Sequence, residues 1–304
     1  RDEAFKADFG GGHFQDIWGY HGYWFKDFFA VDEHLGSMQK MQELITKAHG
    51  KGIKVLLDIV VNHLDYDHPF AKDKNNSNGK YYKWFNHHGK INDNEWSAQW
   101  KVEHGELAEL PDLDQKNPEV SDYLIKASKW WIQQTKADGF RIDTVKHVGH
   151  DFWKKYADEL HSYAGKDFLL LGEVYESAPE ACAGYINDGL DSTFDFPFYY
   201  SIKNVFGQGR SMKELSKLFE KDNVYPNPNM LSPFIDNHDV PRFLHDAGNK
   251  GMEKLKLSLS FIMTMRGIPM IFYGTEIGLA GGADPDNRRD MVWGNKNPDM
   301  VNHV

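Results

Sequence analysis

The stretch GFRIDTVKH, residues 139–147, is a short apolar strand pattern that carries an arginine and an aspartate two positions apart. Residues i and i+2 of a strand point to the same face, so Arg141 and Asp143 are predicted to project together near the strand's C-terminal end. A nearby guanidinium favours the ionised form of a carboxylate, which a carboxylate nucleophile requires. On this pair alone, a structural ion pair and a catalytic pair are equally good interpretations.

Similar apolar runs recur along the chain and alternate with helix-like patterns. Their near-continuous apolarity predicts strands buried on both faces, at residues 53–60, 139–143, 168–173, 192–196, 232–236 and 269–274. Helices are predicted at 38–49, 119–134 and 212–220. The second helix follows an Asn117-Pro118 start signal, and Ser211 and Glu214 have the spacing of a capping box for the third.

Alternating strands and helices without a Gly-rich phosphate loop predict an α/β fold, a closed (β/α)8 TIM barrel, with an open doubly wound sheet as the alternative. Residues 64–117 interrupt the alternation with a polar, aromatic stretch rich in His and Asn, too long for an ordinary loop. We interpret it as a small inserted subdomain between barrel portions at 1–63 and 118–304. Because only six strand candidates occur, we expect the sequence to be truncated at both ends, an internal portion of a longer chain.

Charge and hydropathy restrict the class of ligand. Lys and Arg total 35 against 45 Asp and Glu, a net charge of −10, and the acidic residues are scattered. This balance does not favour a nucleic acid or an anionic membrane as a partner. No apolar run approaches about 18 residues, so no membrane span is expected. A neutral ligand fits the composition better.

Acidic residues also end other predicted strands: Asp58, Glu173 and Asp239. Barrel active sites are assembled from strand ends on one rim, and burying several carboxylates together is costly unless they are used or hydrogen-bonded. The cluster therefore favours catalysis over a structural role. Two such carboxylates can perform retaining glycoside hydrolysis as nucleophile and acid/base.

Three histidines, His63, His147 and His238, follow the same strand ends. They suit either hydrogen bonds to sugar hydroxyls or a metal site. No HxH or HExxH spacing supports a catalytic zinc, so we prefer sugar binding.

Five ordered motifs resemble the α-amylase family of retaining α-glucan hydrolases and transferases: DIVVNH (58–63), LPDLD (110–114), GFRIDTVKH (139–147), GEV (172–174) and FIDNHD (234–239). Three further stretches resemble the cyclodextrin glucanotransferase and maltogenic amylase branch: YHGYW (20–24), HHGKINDNEWSAQW (87–100) and GGADPDNRRDM (281–291). The resemblance implies that the insert follows the third barrel strand. It also implies that the first two strands, the last barrel helix and a C-terminal β-domain have no counterpart in this sequence.

The resemblance further implies that Asp143 is the nucleophile, Glu173 the general acid/base and Asp239 the carboxylate that stabilises the transition state. Arg141 would hold Asp143 ionised, and Asp58 would be a supporting residue. The residues implied to contact sugars are His21, Tyr23, Trp24, His63, Lys146, His147, Tyr175, His238, Asp284 and Arg288.

A structural calcium ion is also implied, with Asn62, Asp112 and the backbone carbonyl of His147 among its ligands, and oxygen donors suit such a hard cation. Cyclodextrin-forming members carry an aromatic residue where this sequence has Ala108. The expected activity is therefore endo-hydrolysis of α-1,4-glucosidic bonds in starch and maltooligosaccharides, with secretion expected for a starch-degrading enzyme. A glucanotransferase or maltogenic amylase, an inactive sugar-binding homologue and an unrelated metal-dependent barrel enzyme are the alternatives.

Overall fold

The structure, a computed structural model, describes residues 5–8, 14–17, 19–294 and 297–304. The chain divides into two compact units, Arg1–Glu173 with Asp188–Leu190, and Val174–Asn187 with Asp191–Val304. In these described ranges, no helix has the length and apolarity needed to cross a membrane.

Five strands occur among the described residues of the first unit. An antiparallel pair, β1 (Phe5–Asp8) and β2 (Phe14–Ile17), was not predicted. Parallel strands β3 (Leu56–Ile59), β4 (Gly139–Ile142) and β5 (Leu169–Gly172) lie within three of the predicted runs, with β4 between the other two. Gly139 allows this close pairing, because a Cβ there would overlap the Leu169 carbonyl oxygen and lie 2.6 Å from Leu56 Cδ2.

The part of the first unit that the structure describes also has four α-helices: α1 (Met38–His49), α2 (Gln99–His104), α3 (Pro118–Thr135) and α4 (His150–Ala164). The two helices predicted here are confirmed as α1 and α3. The start signal of α3 acts as expected, because the Asn117 side chain accepts a hydrogen bond from the Glu119 N–H and Pro118 is the first helical residue.

The interval 64–117 consists mainly of turns, with α2 and three short 3-10 helices, Ala71–Asp73, Tyr82–Trp84 and Leu107–Glu109. Isolated bridges join His63 to Asp112 and Phe85 to Leu113. Ala108 is exposed and has a left-handed backbone, with φ 49°. The subdomain boundaries at 64 and 117 stay a prediction.

The second unit contains one short strand, β6 (Ser192–Thr193), among its described residues, together with six α-helices. These are α5 (Pro179–Asn187), α6 (Phe196–Ile202), α7 (Lys213–Phe219), α8 (Phe243–Asp246), α9 (Gly251–Thr264) and α10 (Pro298–Val301). The segments Lys203–Gly207 (a π-helix), Asp222–Val224, Pro228–Met230, Thr275–Ile277 and Asp286–Arg288 are also helical. Its apolar core includes Phe198, Ile202, Leu255, Leu259 and Ile262.

Several predictions for this unit are wrong. The run 192–196 ends as a strand after Thr193, because Asp195 instead caps α6 by accepting the Phe198 N–H. The runs 232–236 and 269–274 form no regular strand among the described residues, although the Met270 N–H donates to the Pro233 carbonyl between them. Pro233 and Pro269 have no N–H to donate to a ladder.

The predicted capping box of α7 is also absent from its described residues. The Ser211 hydroxyl accepts from the Lys213 N–H, and the Glu214 carboxylate accepts from the Asn204 amide. The Glu214 carboxylate therefore binds the Asn204 amide instead of the Ser211 N–H that the spacing predicted.

Candidate active site

Arg141 lies at the centre of a cluster of three carboxylates in the first unit. Its Nη1 is 2.6 Å from Asp143 Oδ1 and 3.0 Å from Asp58 Oδ1, and its Nη2 is 2.8 Å from Glu173 Oε1. Arg141, Asp143 and Glu173 are buried, whereas Asp58 is exposed. One guanidinium thus compensates two buried carboxylates, a concentration of charge that favours a functional site over an isolated structural ion pair.

The register of the parallel strands brings these side chains together. Arg141 lies opposite Asp58 in the pairing of β3 with β4. Alternate residues of a strand point to the same face, so Asp143 follows Arg141 on that face. Beyond β5, the Glu173 N–H still donates to the Ile142 carbonyl oxygen, at 2.8 Å, so the backbone of the predicted acid/base is fixed beside β4.

Protonation of the cluster differs from the expectation based on Arg141 alone. Burial and then the Glu173 carboxylate raise the pKa of Asp143 well above its ordinary value, although Arg141 lowers it. Arg141 therefore acts against burial and the Glu173 carboxylate in favouring the ionised form, and its role in holding Asp143 ionised stays a prediction. Of the two buried carboxylates, Asp143 makes the shorter contact with Arg141, at 2.6 Å against 2.8 Å for Glu173.

Tyr23 packs on the same cluster. Its hydroxyl donates to Asp58 Oδ2 at 2.9 Å, and its ring centre is 5.5 Å from the Arg141 guanidinium carbon. Two further residues predicted to contact sugars, His21 and Trp24, lie beside Tyr23 in the sequence and contact one another. The Tyr23 N–H donates to His21 Nδ1 at 3.0 Å, and the His21 ring meets Trp24 edge-on at 4.7 Å.

Lys146 and His147 lie beside Trp96, a residue that sequence reasoning missed. The Trp96 ring centre is 5.7 Å from Lys146 Nζ and 5.9 Å from the His147 ring centre, and this tryptophan is 43% exposed. Burial, followed by the charge of Lys146, lowers the pKa of His147 to about 3, so this imidazole is neutral. Its Nδ1–H donates to the Val102 carbonyl at 3.0 Å. A tryptophan within a polar stretch was the available sequence signal for Trp96.

The three predicted calcium ligands converge on one point. One terminal atom of the Asn62 amide is 3.0 Å from the His147 carbonyl oxygen and 3.2 Å from Asp112 Oδ1. The Asn62 Nδ2 atom is 3.2 Å from His63 Nδ1. Asn62 and Asp112 are buried, and burial raises the pKa of Asp112 well above its ordinary value even though Asn86 donates to its other carboxylate oxygen at 2.8 Å.

The protonation of His63 determines which way the Asn62 amide faces. His63 Nε2 is 3.1 Å from the Tyr23 carbonyl oxygen, to which it donates. Burial lowers the pKa of His63 to about 4, so the ring is neutral and carries one proton. Nδ1 must then accept from the Asn62 NH2 group, which leaves the Asn62 oxygen facing the oxygens of His147 and Asp112. Such a set of oxygens fits a hard cation.

Clusters of three or more His, Cys, Asp or Glu side chains able to hold a metal are absent from the part of the chain that the structure describes. The oxygen set at Asn62 is of another kind, because it combines an amide, a carboxylate and a backbone carbonyl.

The second unit holds Asp239 with its own partners. Asp239 Oδ2 is 3.2 Å from His238 Nε2, and Asp239 Oδ1 is 3.4 Å from Arg288 Nη2. Arg288 Nε donates to the His238 carbonyl at 3.0 Å and is 2.9 Å from Asp284 Oδ1. Four of the predicted site residues of this unit therefore lie together. The fifth, Tyr175, packs its ring on Phe196 with centres 4.3 Å apart.

Two buried residues that sequence reasoning missed support His238. Asn287 Nδ2 donates to the His238 carbonyl at 2.7 Å, and Arg242 Nε donates to the Asn287 carbonyl at 2.8 Å. The Arg242 guanidinium carbon is 4.2 Å from the Phe272 ring centre. The sequence signal available for Arg242 was its position three residues after Asp239. An arginine is ordinarily expected at the surface, so this signal did not predict burial.

Comparison with known proteins gives relatives over nearly the whole chain. A "Beta/alpha-amylase" of Paenibacillus polymyxa is 41% identical over 299 residues, covering 94% of this chain and 24% of that protein. An α-amylase structure from Anoxybacillus is 41% identical, with a TM-score of 0.87, covering 94% of this chain and 62% of that one. The α-amylase of Geobacillus thermoleovorans, solved with acarbose, is 39% identical, with a TM-score of 0.87, covering 99% of this chain and 65% of that one.

Other matches include proteins named cyclomaltodextrinase and cyclomaltodextrin glucanotransferase. The chain spans less than two thirds of the length of the three relatives described above. Residues 12–299 match the family described as "Alpha amylase, catalytic domain". This chain therefore belongs to the α-amylase family, and the predicted (β/α)8 barrel fold of the catalytic domain is confirmed.

Proposed function

We propose that this protein hydrolyses internal α-1,4-glucosidic bonds of starch and maltooligosaccharides with retention of the anomeric configuration. The observation that carries the proposal is the pair of buried carboxylates, Asp143 and Glu173, bound by the two Nη atoms of one guanidinium. A retaining mechanism needs two carboxyl groups about 5–5.5 Å apart, closer than the spacing that admits an attacking water between them. Neighbouring nitrogens of Arg141 support the shorter separation.

Asp143 is the proposed nucleophile. It attacks the anomeric carbon and forms a β-glycosyl ester, while Glu173 protonates the departing glycosidic oxygen. Glu173 then removes a proton from water, the water oxygen attacks the same carbon, and Asp143 leaves as a carboxylate. Burial and the Glu173 carboxylate both raise the pKa of Asp143, and this interaction between the two carboxylates supports the first step, because one member must start as an acid and the other as an anion.

Neutral histidines and aromatic rings are the proposed sugar contacts. Burial keeps His147 uncharged near neutral pH, and with its Nδ1–H bound to Val102 its Nε2 suits a hydrogen bond from a sugar hydroxyl. Both ring nitrogens of His63 have protein partners, so its proposed sugar contact is one of packing. Tyr23 and Trp96 offer ring faces for pyranose stacking. Asp239 is proposed as the third carboxylate of the reaction on the strength of its sequence motif, and its contacts with His238 and Arg288 support an ionised state.

We further propose calcium as a structural ion bound by Asn62, Asp112 and the carbonyl oxygen of His147. The three facing oxygens support this assignment. Because neutral His63 accepts from the Asn62 NH2 group, the Asn62 oxygen faces the His147 carbonyl oxygen and Asp112 Oδ1. Bound there, calcium would supply charge that compensates the buried Asp112 carboxylate and tie the 64–117 interval to the strand end. Secretion is proposed only because polymeric starch is the proposed substrate.

Product chromatography from soluble starch and maltoheptaose tests the proposal, with Asp143→Asn as the control. A ladder of short linear maltooligosaccharides that the control does not form is the expected result. Cyclic products, or linear products longer than maltoheptaose, would assign the protein to the glucanotransferases, a possibility that the exposed Tyr175 ring favours. Glucan binding without any product from the unmodified protein would refute catalysis altogether.

A further inference from the structure

Thr144, the residue that follows Asp143, has a backbone conformation that is rare for its residue type. Its φ is 51° and its ψ is 36°, in the left-handed region. A β-branched side chain makes this region unfavourable, and such residues persist only where their surroundings impose the conformation. The deviation therefore requires a local reason.

The Thr144 side chain does not supply that reason. Its hydroxyl oxygen is buried and has no hydrogen-bond partner among the residues that the structure describes. A buried hydroxyl without a partner destabilises a fold instead of stabilising it. The left-handed conformation is consequently not maintained by a side-chain hydrogen bond.

The Thr144 backbone N–H, in contrast, has a specific partner. It donates to Glu173 Oε2 at 3.0 Å, while Arg141 Nη2 contacts Oε1 of the same carboxyl at 2.8 Å. The next N–H, that of Val145, donates to the Glu173 main-chain carbonyl at 3.0 Å. The turn at Thr144 thus directs two successive N–H groups at one residue, one to its side chain and one to its backbone.

We propose that Thr144 is a positioning residue for the reaction, whose left-handed backbone directs its N–H at the Glu173 carboxyl and fixes the acid/base relative to the adjoining nucleophile Asp143. This inference rests on the proposed function. A peptide N–H can only donate, so this contact favours the ionised form of Glu173. The same peptide bond is covalently joined to Asp143, so movement of one catalytic group is restrained by the other.

Other charges also act on Glu173 and must stay constant in a test. Within the described part of the first unit they include the Arg141 cation and the Asp143 and Asp58 carboxylates, and Glu173 in turn acts on the neutral His147 ring. A useful change must therefore remove the Thr144 N–H without altering any side chain.

Replacement of Thr144 by its α-hydroxy acid achieves this, because an ester oxygen takes the place of the backbone N–H. We expect the alkaline limb of the kcat/KM profile to move up by about one pH unit and kcat to fall about tenfold, since the ionised Glu173 loses a donor. The matched control is the corresponding ester at Val145, which removes a bond to the Glu173 backbone only and should leave the alkaline limb in place. Equal pH profiles for the two esters would overturn the proposal.

Side-chain variants give a second test if the ester protein does not fold. Asparagine tolerates the left-handed region, so Thr144→Asn should keep the alkaline limb of the kcat/KM profile in place. Glycine loosens the turn, so Thr144→Gly should lower kcat and move this limb to higher pH. Identical kinetics for these two variants would overturn the positioning role. An unmodified protein that releases no product from α-glucans would instead refute the proposed function, so the two failures are distinguishable.

Discussion

The Arg141→Met variant removes the guanidinium that contacts Asp143, Glu173 and Asp58 and keeps a side chain of similar length. Breaking a buried ion pair by removing one partner costs about 3–5 kcal/mol of unfolding free energy. At about 2–4 °C per kcal/mol for domains of 150–250 residues, this corresponds to a fall in Tm of roughly 6–20 °C at pH 8.

The size of this loss must depend on pH. Burial and Glu173 already place the pKa of Asp143 in the folded protein above its value in the unfolded chain, so ionisation of this group destabilises the fold as pH rises. Arg141 offsets part of that cost, and its removal raises the pKa of Asp143 further. The penalty of the variant is therefore smallest near the unfolded pKa of about 4 and grows toward pH 8.

Thermal unfolding followed by circular dichroism at pH 5, 6.5 and 8 measures this dependence. Arg141→Lys is the matched control, because it keeps a positive charge but loses the fork that reaches two carboxylates at once. It should be destabilised less and with a weaker pH dependence. A loss of Tm in Arg141→Met that is equal at pH 5 and pH 8 would refute the electrostatic reasoning and indicate a packing defect.

Two further predictions concern the metal and the second unit. EDTA should lower the Tm of the protein before it lowers kcat, and the Asp112→Asn variant should lose the calcium dependence of Tm. Thermal unfolding with and without added calcium measures both effects. An Asp112→Asn protein that calcium stabilises as strongly as the unmodified protein would contradict the ligand assignment. Arg266→Met should lower the unfolding free energy by about 3–5 kcal/mol, because Arg266 contacts the buried Asp195 at 2.7 Å and Asp222 at 2.6 Å. Burial raises the pKa of Asp195 while Arg266 lowers it, so this loss in denaturant titrations should increase from pH 5 to pH 8, and a pH-independent loss would count against it.

The helices and central strands could be predicted because local sequence determines them. An apolar run between turn residues gave β4 and its two neighbours, and the Asn117-Pro118 signal gave the start of α3. The predictions that proved wrong depended on competition between partners. Asp195 could extend a strand or cap a helix, and only the three-dimensional neighbours of the segment determine which.

The sequence predicted which side chains of the candidate site lie together on one strand, but not the direction of the pKa shift of Asp143. Alternate residues of a strand share a face, so Arg141 and Asp143 had to lie together. The register that adds Asp58 and Glu173 to the same guanidinium is a property of the sheet. Burial, followed by the Glu173 carboxylate, raises the pKa of Asp143, whereas Arg141 alone would lower it. The backbone of Thr144 left no sequence signal, because threonine is an unfavourable residue for its conformation.

Trapping the glycosyl-enzyme tests the central claim most directly. In Glu173→Gln the second step lacks its general base, whereas a maltooligosyl fluoride needs no acid to leave, so the ester should accumulate. Mass spectrometry of the digested protein should then show one added maltooligosyl group on the peptide that contains Asp143. A glycosyl group on any other residue, or none while the unmodified protein converts the same fluoride, would contradict Asp143 as the nucleophile.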